Sequence, residues 1–252
     1  MKGLFLVTKK FLEKRYGAEI VTSDQKYYVI NEAVNLDLKA IFIAIPKTGT
    51  TSVRRQMKQR GIPIIPNPHL NILQVRDLIY VHLLKITLGG NRTFPNNDLP
   101  DDPGLRAEAK EIFTSCFKFS GVRNPWARAV SLYFRRECIP TRETISFEEF
   151  CQQHMHASDT CRQPTLHRNQ YDWLCDEKGE NLMDYTYKVE NFDQAIREIR
   201  ELTRGRLILK DLKKNRNPGS QSMNYREMYN DATRKLIGTR FEKDIDIFKY
   251  TF

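Results

Sequence analysis

The chain has 252 residues, of which 40% are hydrophobic and 29% charged, enough for one α/β domain with a full core but barely for two. Basic residues exceed acidic ones by 41 − 31 = +10, a balance that suits a polyanion: an acidic glycan, a membrane surface, a nucleic acid or a highly phosphorylated cofactor. The basic residues form no single long block, so the charge gives little support to a nucleic-acid-binding protein.

The N-terminal residues and the cysteines indicate the cellular compartment of the protein. The apolar stretch within residues 1–6 is too short for a secretion signal or a membrane span. The five cysteines are odd in number and none has CxxC spacing, which favours free thiols over a disulfide framework or a zinc site. A cytoplasmic protein without a transmembrane segment is expected, with a trimmed N-terminal anchor as the alternative.

Taken in chain order, residues 1–37 are predicted to be an N-terminal extension, with a short basic helix over residues 4–16 and an extended segment near residues 27–30. The core, residues 38–252, begins with an apolar run over residues 40–45, typical of a strand buried on both faces. A helical pattern follows over residues 53–60. The core therefore opens with a strand, a tight turn and a helix.

The turn between that strand and helix has the composition of a phosphate cradle. Backbone N–H groups and the helix dipole favour an anion there, Gly49 lets the backbone approach a ligand, and Lys47 adds a mobile charge. A Walker A loop places its lysine after its second glycine, whereas Lys47 precedes Gly49, so a nucleoside-triphosphate loop loses its main support. An ordinary turn with a surface lysine is the alternative. The candidate phosphate-binding residues are Lys47, Thr48, Gly49, Thr50, Thr51 and Ser52.

The next part of the chain leads to a second candidate anion-binding segment. A stiff connector over residues 63–68 leads to His69, a helix with inner residues between 73 and 84 follows, and residues 86–108 are predicted to be a long loop. Alternation over residues 112–122 predicts a strand, which leads into Arg123.

Arg123 stands where ligands bind in open α/β sheets, and arginine is a natural bidentate partner for phosphate. Asn124 and Pro125 predict a helix start, and the aromatic stripe beyond them is expected in the core. Ser131, two turns into this helix, could add a donor to the same anion. The alternative is a locally capped arginine and an unrelated serine.

Later elements complete the predicted fold. A capping box at Ser146 and Glu149 predicts a helix to about residue 156, residues 185–189 predict a strand, and Asn191 is expected to cap a helix that ends near residue 205. A last strand over residues 207–209, a polar loop over residues 215–224 and a helical region over residues 225–248 follow. Strands alternating with helices predict one α/β domain, a P-loop-like three-layer fold with a central, mainly parallel sheet flanked by helices.

The two segments together, PKTGTTS and later RNPWARAVS, resemble the sulfotransferase superfamily, in particular its family-2-like branch of carbohydrate O-sulfotransferases and bacterial proteins. The resemblance runs from about residue 38 to 252. It implies the donor 3′-phosphoadenosine 5′-phosphosulfate, the product adenosine 3′,5′-bisphosphate, no metal, and a hydroxyl-bearing acceptor such as a glycan. Residues 47–52 would hold the 5′-phosphosulfate, Arg123 and Ser131 the 3′-phosphate, and a segment near residues 215–222 would close over the nucleotide.

Transfer to a hydroxyl needs a base, and histidine is the usual base near neutral pH. His69 is the first choice because its connector returns the chain to the carboxyl edge of the sheet, and Lys47 is the expected electrostatic catalyst. His167 is the second choice and Glu190 the fallback. The other three histidines, His82, His154 and His156, are expected to be structural or exposed.

Two other functions remain open at this point. A nucleotide kinase would require Mg²⁺ and ATP. A non-catalytic nucleic-acid-binding module would use the basic surface, but basic residues are not interleaved with aromatic ones in a recognisable reading motif.

Overall fold

A computed structural model describes residues 27–88, 99–155, 168–212 and 224–252. The basic helix predicted over residues 4–16 lies outside these ranges, as do His156, His167 and the closing segment predicted near residues 215–222.

The described chain alternates strands and helices. The strands are β1 (Tyr28–Val29), β2 (Val34–Asn35), β3 (Ala40–Ile43), β4 (Ile62–Pro63), β5 (Phe117–Val122) and β6 (Tyr185–Lys188). The α-helices are α1 (Thr50–Met57), α2 (Ile72–Leu88), α3 (Pro103–Ser115), α4 (Pro125–Tyr133), α5 (Ile139–Thr144), α6 (Phe147–Gln153), α7 (Phe192–Leu202), α8 (Asp231–Arg240) and α9 (Glu242–Phe248).

The central sheet has the order β2-β3-β5-β6, with β3, β5 and β6 parallel and β2 antiparallel at one edge. In register, Phe42 lies opposite Phe119, and Gly121 lies opposite Tyr187. The short strands β1 and β4 form a separate parallel pair. Because β3, β5 and β6 are parallel, the segments that follow them emerge at one edge of the sheet.

Helices cover both faces of this sheet. On one face, Ile41 and Ile43 pack with the buried residues of α2 and α3. On the other, Ala40 and Phe42 pack with the buried residues of α1 and α7. The alternation of β3 between two apolar clusters explains why its sequence is apolar throughout. The predicted central, mainly parallel sheet flanked by helices is confirmed.

A third apolar cluster lies beside the sheet, where α4 packs against α6 and α8. Trp126, Val130 and Tyr133 are buried in it, which confirms that the aromatic stripe belongs to the core. The indole N–H of Trp126 donates to the Arg234 carbonyl at 2.9 Å, so the buried polar atom has a partner. The predicted capping box at Ser146 and Glu149 is present.

Several predicted boundaries were wrong. Residues 86–88 belong to α2 and residues 103–108 to α3, so the predicted loop over residues 86–108 was too long. Residues 112–115 are helical because Asp102 caps α3, its side chain accepting from the N–H groups of Gly104 and Leu105. The even spacing of phenylalanines near residue 113 imitated a strand. Helix α1 begins at Thr50, three residues earlier than predicted.

The predicted strand over residues 207–209 is also absent. Leu207 and Leu209 are buried and Ile208 is exposed, which is strand-like alternation, but the segment pairs with no strand among the described residues. It runs alongside α1 instead, where Gln56 exchanges two hydrogen bonds with the backbone of Lys210.

Cysteine chemistry differs from the prediction at one position. Cys116, Cys151 and Cys175 are free thiols, as predicted, but Cys138 is disulfide-bonded. Across the described ranges, no helix combines the length and the apolar character needed to cross a membrane.

Candidate functional site

The loop after β3 has the local geometry of an anion site. Gly49 is the N-cap of α1 in a left-handed conformation (φ 69°) and supplies no side-chain cap. The first N–H groups of α1 therefore receive no acceptor from the cap, although a helix start normally uses one. A methyl group built on Gly49 would meet nothing within 4 Å, so the space beside the turn is open. These features suit an anion at the start of α1.

The side chains of the loop divide into two groups. Thr48 is buried, and its hydroxyl donates to the Ile45 carbonyl at 3.0 Å, which closes the turn from within. Ser52 is also buried, and its hydroxyl oxygen accepts from the Leu212 N–H at 3.4 Å. Thr50 is buried, whereas Lys47 and Thr51 are half-buried. Lys47 has a left-handed backbone (φ 71°), an uncommon conformation for a residue with a side chain.

Arg123 links the two predicted motifs. It follows β5 directly, and its Nη1 lies 3.4 Å from the Lys47 carbonyl oxygen, 76 residues away in the chain. The side chain is half-buried, and burial lowers the pKa of the guanidinium, an effect that the neighbouring Glu190 opposes. The group still stays charged at neutral pH, as arginine does in proteins.

Arg128 makes a second link to the same loop. Its Nε donates to the Pro46 carbonyl at 3.1 Å and its Nη1 to the Arg168 carbonyl at 3.3 Å. The residue is only 3% exposed, and burial lowers the pKa of the guanidinium to about 10, with Asp244 acting in the opposite direction. Arg128 is therefore a buried cation fixed against the turn.

Ser131 lies on the same side of α4 as Arg128, one turn later. It is the single residue of α4 that is not buried. Since Arg128 contacts the loop at Pro46, this side of the helix faces the loop. Ser131 is therefore a partly accessible residue one helical turn beyond the arginine that contacts the loop.

Gln170 holds the backbone of Arg123 in place. Its side-chain oxygen accepts from the Arg123 N–H at 2.9 Å, and its side-chain nitrogen donates to the Arg123 carbonyl at 2.8 Å. Asp244, fully buried in α9, accepts in turn from the backbone N–H groups of Gln170 and Tyr171. The strand end that carries Arg123 is therefore fixed from α9 through Gln170.

Glu190, the fallback base, accepts hydrogen bonds from two neighbouring segments in this structure. One carboxylate oxygen accepts from the Asn124 N–H at 2.9 Å and the other from the Tyr250 hydroxyl at 3.2 Å. The Asn124 side chain caps α4 and also donates to the Thr251 carbonyl. Glu190 thus helps to hold the start of α4 in place.

His69 lies beside the loop, as its connector predicted. Its Nδ1 is 2.6 Å from the Ala44 carbonyl oxygen, at the end of β3. A carbonyl oxygen can only accept, so Nδ1 carries the proton and Nε2 keeps its lone pair when the ring is neutral. Burial lowers the pKa of His69, and the guanidinium groups of Arg54 and Arg135 act in the same direction. The hydrogen bond to the Ala44 carbonyl and the charge of Glu32 oppose this shift without cancelling it.

The other described histidines lie elsewhere. His82 is half-buried on α2, and burial lowers its pKa. His154 stacks on Phe150 at the end of α6. Within residues 27–88, 99–155, 168–212 and 224–252, no group of three His, Cys, Asp or Glu side chains is arranged to hold a metal ion.

Sequence reasoning missed Arg128, Gln170 and Asp244. Arg128 gave a usable signal, because it is the only charged residue in the nine-residue helix α4, whose other side chains are mostly apolar. A lone charge in such a helix has to find a polar partner. Gln170 and Asp244 gave none, since their contacts join distant parts of the chain.

We expect Gln170→Met to lower the free energy of unfolding by about 2–4 kcal/mol, because it leaves the buried N–H and carbonyl of Arg123 without their partner. Urea unfolding measures this loss. Gln152→Met, at an exposed position on α6, is the control and should change stability by less than about 0.5 kcal/mol. Equal losses of unfolding free energy in the two variants would contradict the role of Gln170 in holding the Arg123 backbone.

Comparisons with known proteins give the family of the chain. No curated protein and no solved structure matches the chain. The model of the Sulfotransferase family matches residues 33–251, which include both loop segments, His69, Gln170 and Asp244. The chain belongs to the Sulfotransferase family.

Proposed function

We propose that the protein transfers a sulfuryl group from 3′-phosphoadenosine 5′-phosphosulfate to a hydroxyl group of a saccharide. Residues Lys47 to Ser52 hold the 5′-phosphosulfate, and Arg123 and Ser131 hold the 3′-phosphate. Family membership supports sulfate transfer in general. The donor, the acceptor and the residue roles are the proposal.

One observation carries this proposal: Arg123 reaches the Lys47 carbonyl across 76 residues of chain, so the two predicted anion-binding segments are adjacent, as one site for the donor requires. The donor has two anionic ends on one nucleoside, and a binding site for it needs two adjacent groups of donors. The uncapped start of α1 supplies the first, and Arg123 with the accessible Ser131 supplies the second.

The loop side chains then have distinct roles. The donor supplies an activated sulfuryl group whose departure leaves negative charge on a phosphate oxygen. Lys47, half-buried at the turn, is placed to stabilise that charge, and the N–H groups at the start of α1 already point at the same region. Thr48 keeps the turn closed through its bond to Ile45.

His69 acts as the base in this proposal. Its Nδ1–H is held by the Ala44 carbonyl, which leaves Nε2 to accept the proton of the acceptor hydroxyl. Because its pKa is lowered, the ring is neutral at pH 7 and ready to accept. The carbonyl of Ala44 also fixes the plane of the ring relative to the loop.

A saccharide acceptor, including one that carries carboxylate or sulfate groups, suits the net charge of +10. The cytoplasmic location stays a prediction. The disulfide at Cys138 argues against it, because disulfides persist mainly in oxidising compartments.

Replacing Lys47 with alanine should reduce turnover by roughly 10²–10³-fold, the usual cost of removing one transition-state donor. Turnover is measured as release of adenosine 3′,5′-bisphosphate from the donor, with hyaluronan and dextran as trial acceptors. Lys58→Ala, at the exposed other end of α1, is the matched control and should leave turnover unchanged. Full activity of the Lys47 variant would refute the role given to this loop.

The pH dependence tests the role of His69. Its folded-state pKa lies below the ordinary 6.5, so its unprotonated form persists as pH falls, and the acid limb of kcat/KM should lie below pH 6.5. His69→Gln should remove this limb and lower kcat by about 10²–10⁴-fold, while nucleotide affinity stays within a few-fold.

His82→Gln provides the control, since His82 is also half-buried with a lowered pKa but lies on α2. Its profile should match that of the native enzyme. A His69 variant that loses nucleotide affinity but keeps its turnover would make His69 a binding residue instead of a base.

A further inference from the structure

We propose that Arg128 is a positioning residue: it orients the peptide group that joins Pro46 to Lys47, next to the Lys47–Thr48 peptide held by Arg123, so that the loop N–H groups face the 5′ end of the donor. This inference rests on the proposed function and adds to it a residue outside the two predicted anion-binding sets.

The peptide group that joins Pro46 to Lys47 is planar. In a trans peptide, the carbonyl and the following N–H point in opposite directions. The Pro46 carbonyl is held by Arg128 Nε at 3.1 Å, which turns the Lys47 N–H away from Arg128. The Lys47 carbonyl is held by Arg123 Nη1 at 3.4 Å, which turns the Thr48 N–H away in the same manner. Two consecutive amides are thus directed by two arginines of one motif.

The backbone of the loop makes such a support necessary. Lys47 and Gly49 both have left-handed φ values, 71° and 69°, and a left-handed conformation is unfavourable for the lysine. A side chain that fixes the carbonyl before Lys47 opposes relaxation of this turn. Thr48 supports the turn from the other side, through its bond to the Ile45 carbonyl.

Packing alone does not explain why an arginine occupies this buried position. A buried guanidinium is costly to desolvate, and an apolar side chain of similar size often serves stability as well or better. The Nε of Arg128 donates to the Pro46 carbonyl and its Nη1 to the Arg168 carbonyl. Its Nη2 is buried without a hydrogen-bond partner in the described part of the chain. The contact with the Pro46 carbonyl, which an apolar side chain could not make, therefore explains a guanidinium at this buried position better than packing does.

The position of Arg128 also connects the two ends of the donor site. Arg123 directly follows β5, Arg128 and Ser131 lie on α4, and the three fall within nine residues; the side chain of Asn124 caps α4. The same short segment therefore carries the groups assigned to the 3′-phosphate and the group that orients the 5′ loop. In this arrangement, Arg128 fixes the spacing between the two anion-binding ends.

The test compares two ligands that differ only at the 5′ position: adenosine 3′,5′-bisphosphate and adenosine 3′-monophosphate. Their affinities are measured by calorimetry with EDTA present, for the native protein and for Arg128→Lys and Arg128→Met. Arg128→Lys keeps the charge but loses the planar fork. Arg142→Lys is the matched control, because Arg142 also donates to two backbone carbonyls, those of Tyr133 and Arg135, without contacting the loop.

We expect both Arg128 variants to bind the bisphosphate at least about 10-fold more weakly, the equivalent of one lost charge-assisted hydrogen bond, and the monophosphate within about 3-fold of native. A general loss of stability would instead weaken the binding of both ligands. The Arg142 variant should bind both ligands as the native protein does. Equal weakening of both ligands, or no weakening, in an Arg128 variant would overturn the positioning role.

Failure of the proposed function is recognised separately. If the native protein binds no bisphosphate, the proposed donor and this inference both fail, whereas native binding with unselective Arg128 variants refutes this inference alone. If neither Arg128 variant folds, a crystal structure of the native protein with the bisphosphate decides. The inference predicts the Lys47 or Thr48 N–H on the 5′-phosphate and Arg128 still on Pro46. A phosphate bound directly by Arg128, or by neither amide, contradicts it.

Discussion

Two hydrogen bonds to the carbonyl oxygens of consecutive residues, Pro46 and Lys47, determine the geometry of the site. The donors are Arg128 and Arg123, which come from the strand–helix junction that follows the neighbouring parallel strand. Because the peptide unit is planar, fixing these carbonyls also fixes the amides behind them. The arrangement requires β3 and β5 to be adjacent and parallel, so that both loops emerge at the same edge of the sheet.

This junction is supported from parts of the chain that are remote in sequence. Gln170 holds the Arg123 backbone, and Asp244 holds Gln170. Glu190 and the carbonyl of Thr251 hold Asn124. Several of these groups are buried polar atoms whose partners are specific, so each is costly to remove. The last helix and the residues after it therefore contribute to the site without belonging to either motif.

The sequence predicted the features that depend on local chemistry. The apolar run at residues 40–45, the Asn124–Pro125 helix start and the box at Ser146 each determine structure within a few residues. The errors arose where distant contacts decide. Residues 112–115 belong to the helix capped at Asp102, and residues 207–209 alternate as a strand would but pair with no strand in the described part of the chain. In both cases the period of the apolar residues was compatible with more than one structure.

The difference between local patterns and distant contacts also applies to the site. Lys47, Gly49 and Arg123 could be proposed because phosphate-binding turns use few residue types in a fixed order, and the structure brings them together with His69 at one edge of the sheet. Gln170 and Asp244 could not be found in this way, because a single glutamine or aspartate has no local pattern that distinguishes a buried brace from a surface residue. The free thiol predicted at Cys138 was wrong for the related reason that cysteine spacing does not give pairing.

The central claim is that the two arginine-linked loops form one binding site for a nucleoside bisphosphate. Calorimetric titration of the native protein and of Arg123→Ala with adenosine 3′,5′-bisphosphate in EDTA tests it most directly, with ATP and Mg²⁺ titrated in parallel. We predict tight, metal-independent binding of the bisphosphate to the native protein and its loss in the variant. Binding of ATP with Mg²⁺ in place of the bisphosphate would contradict this account and favour a nucleotide kinase.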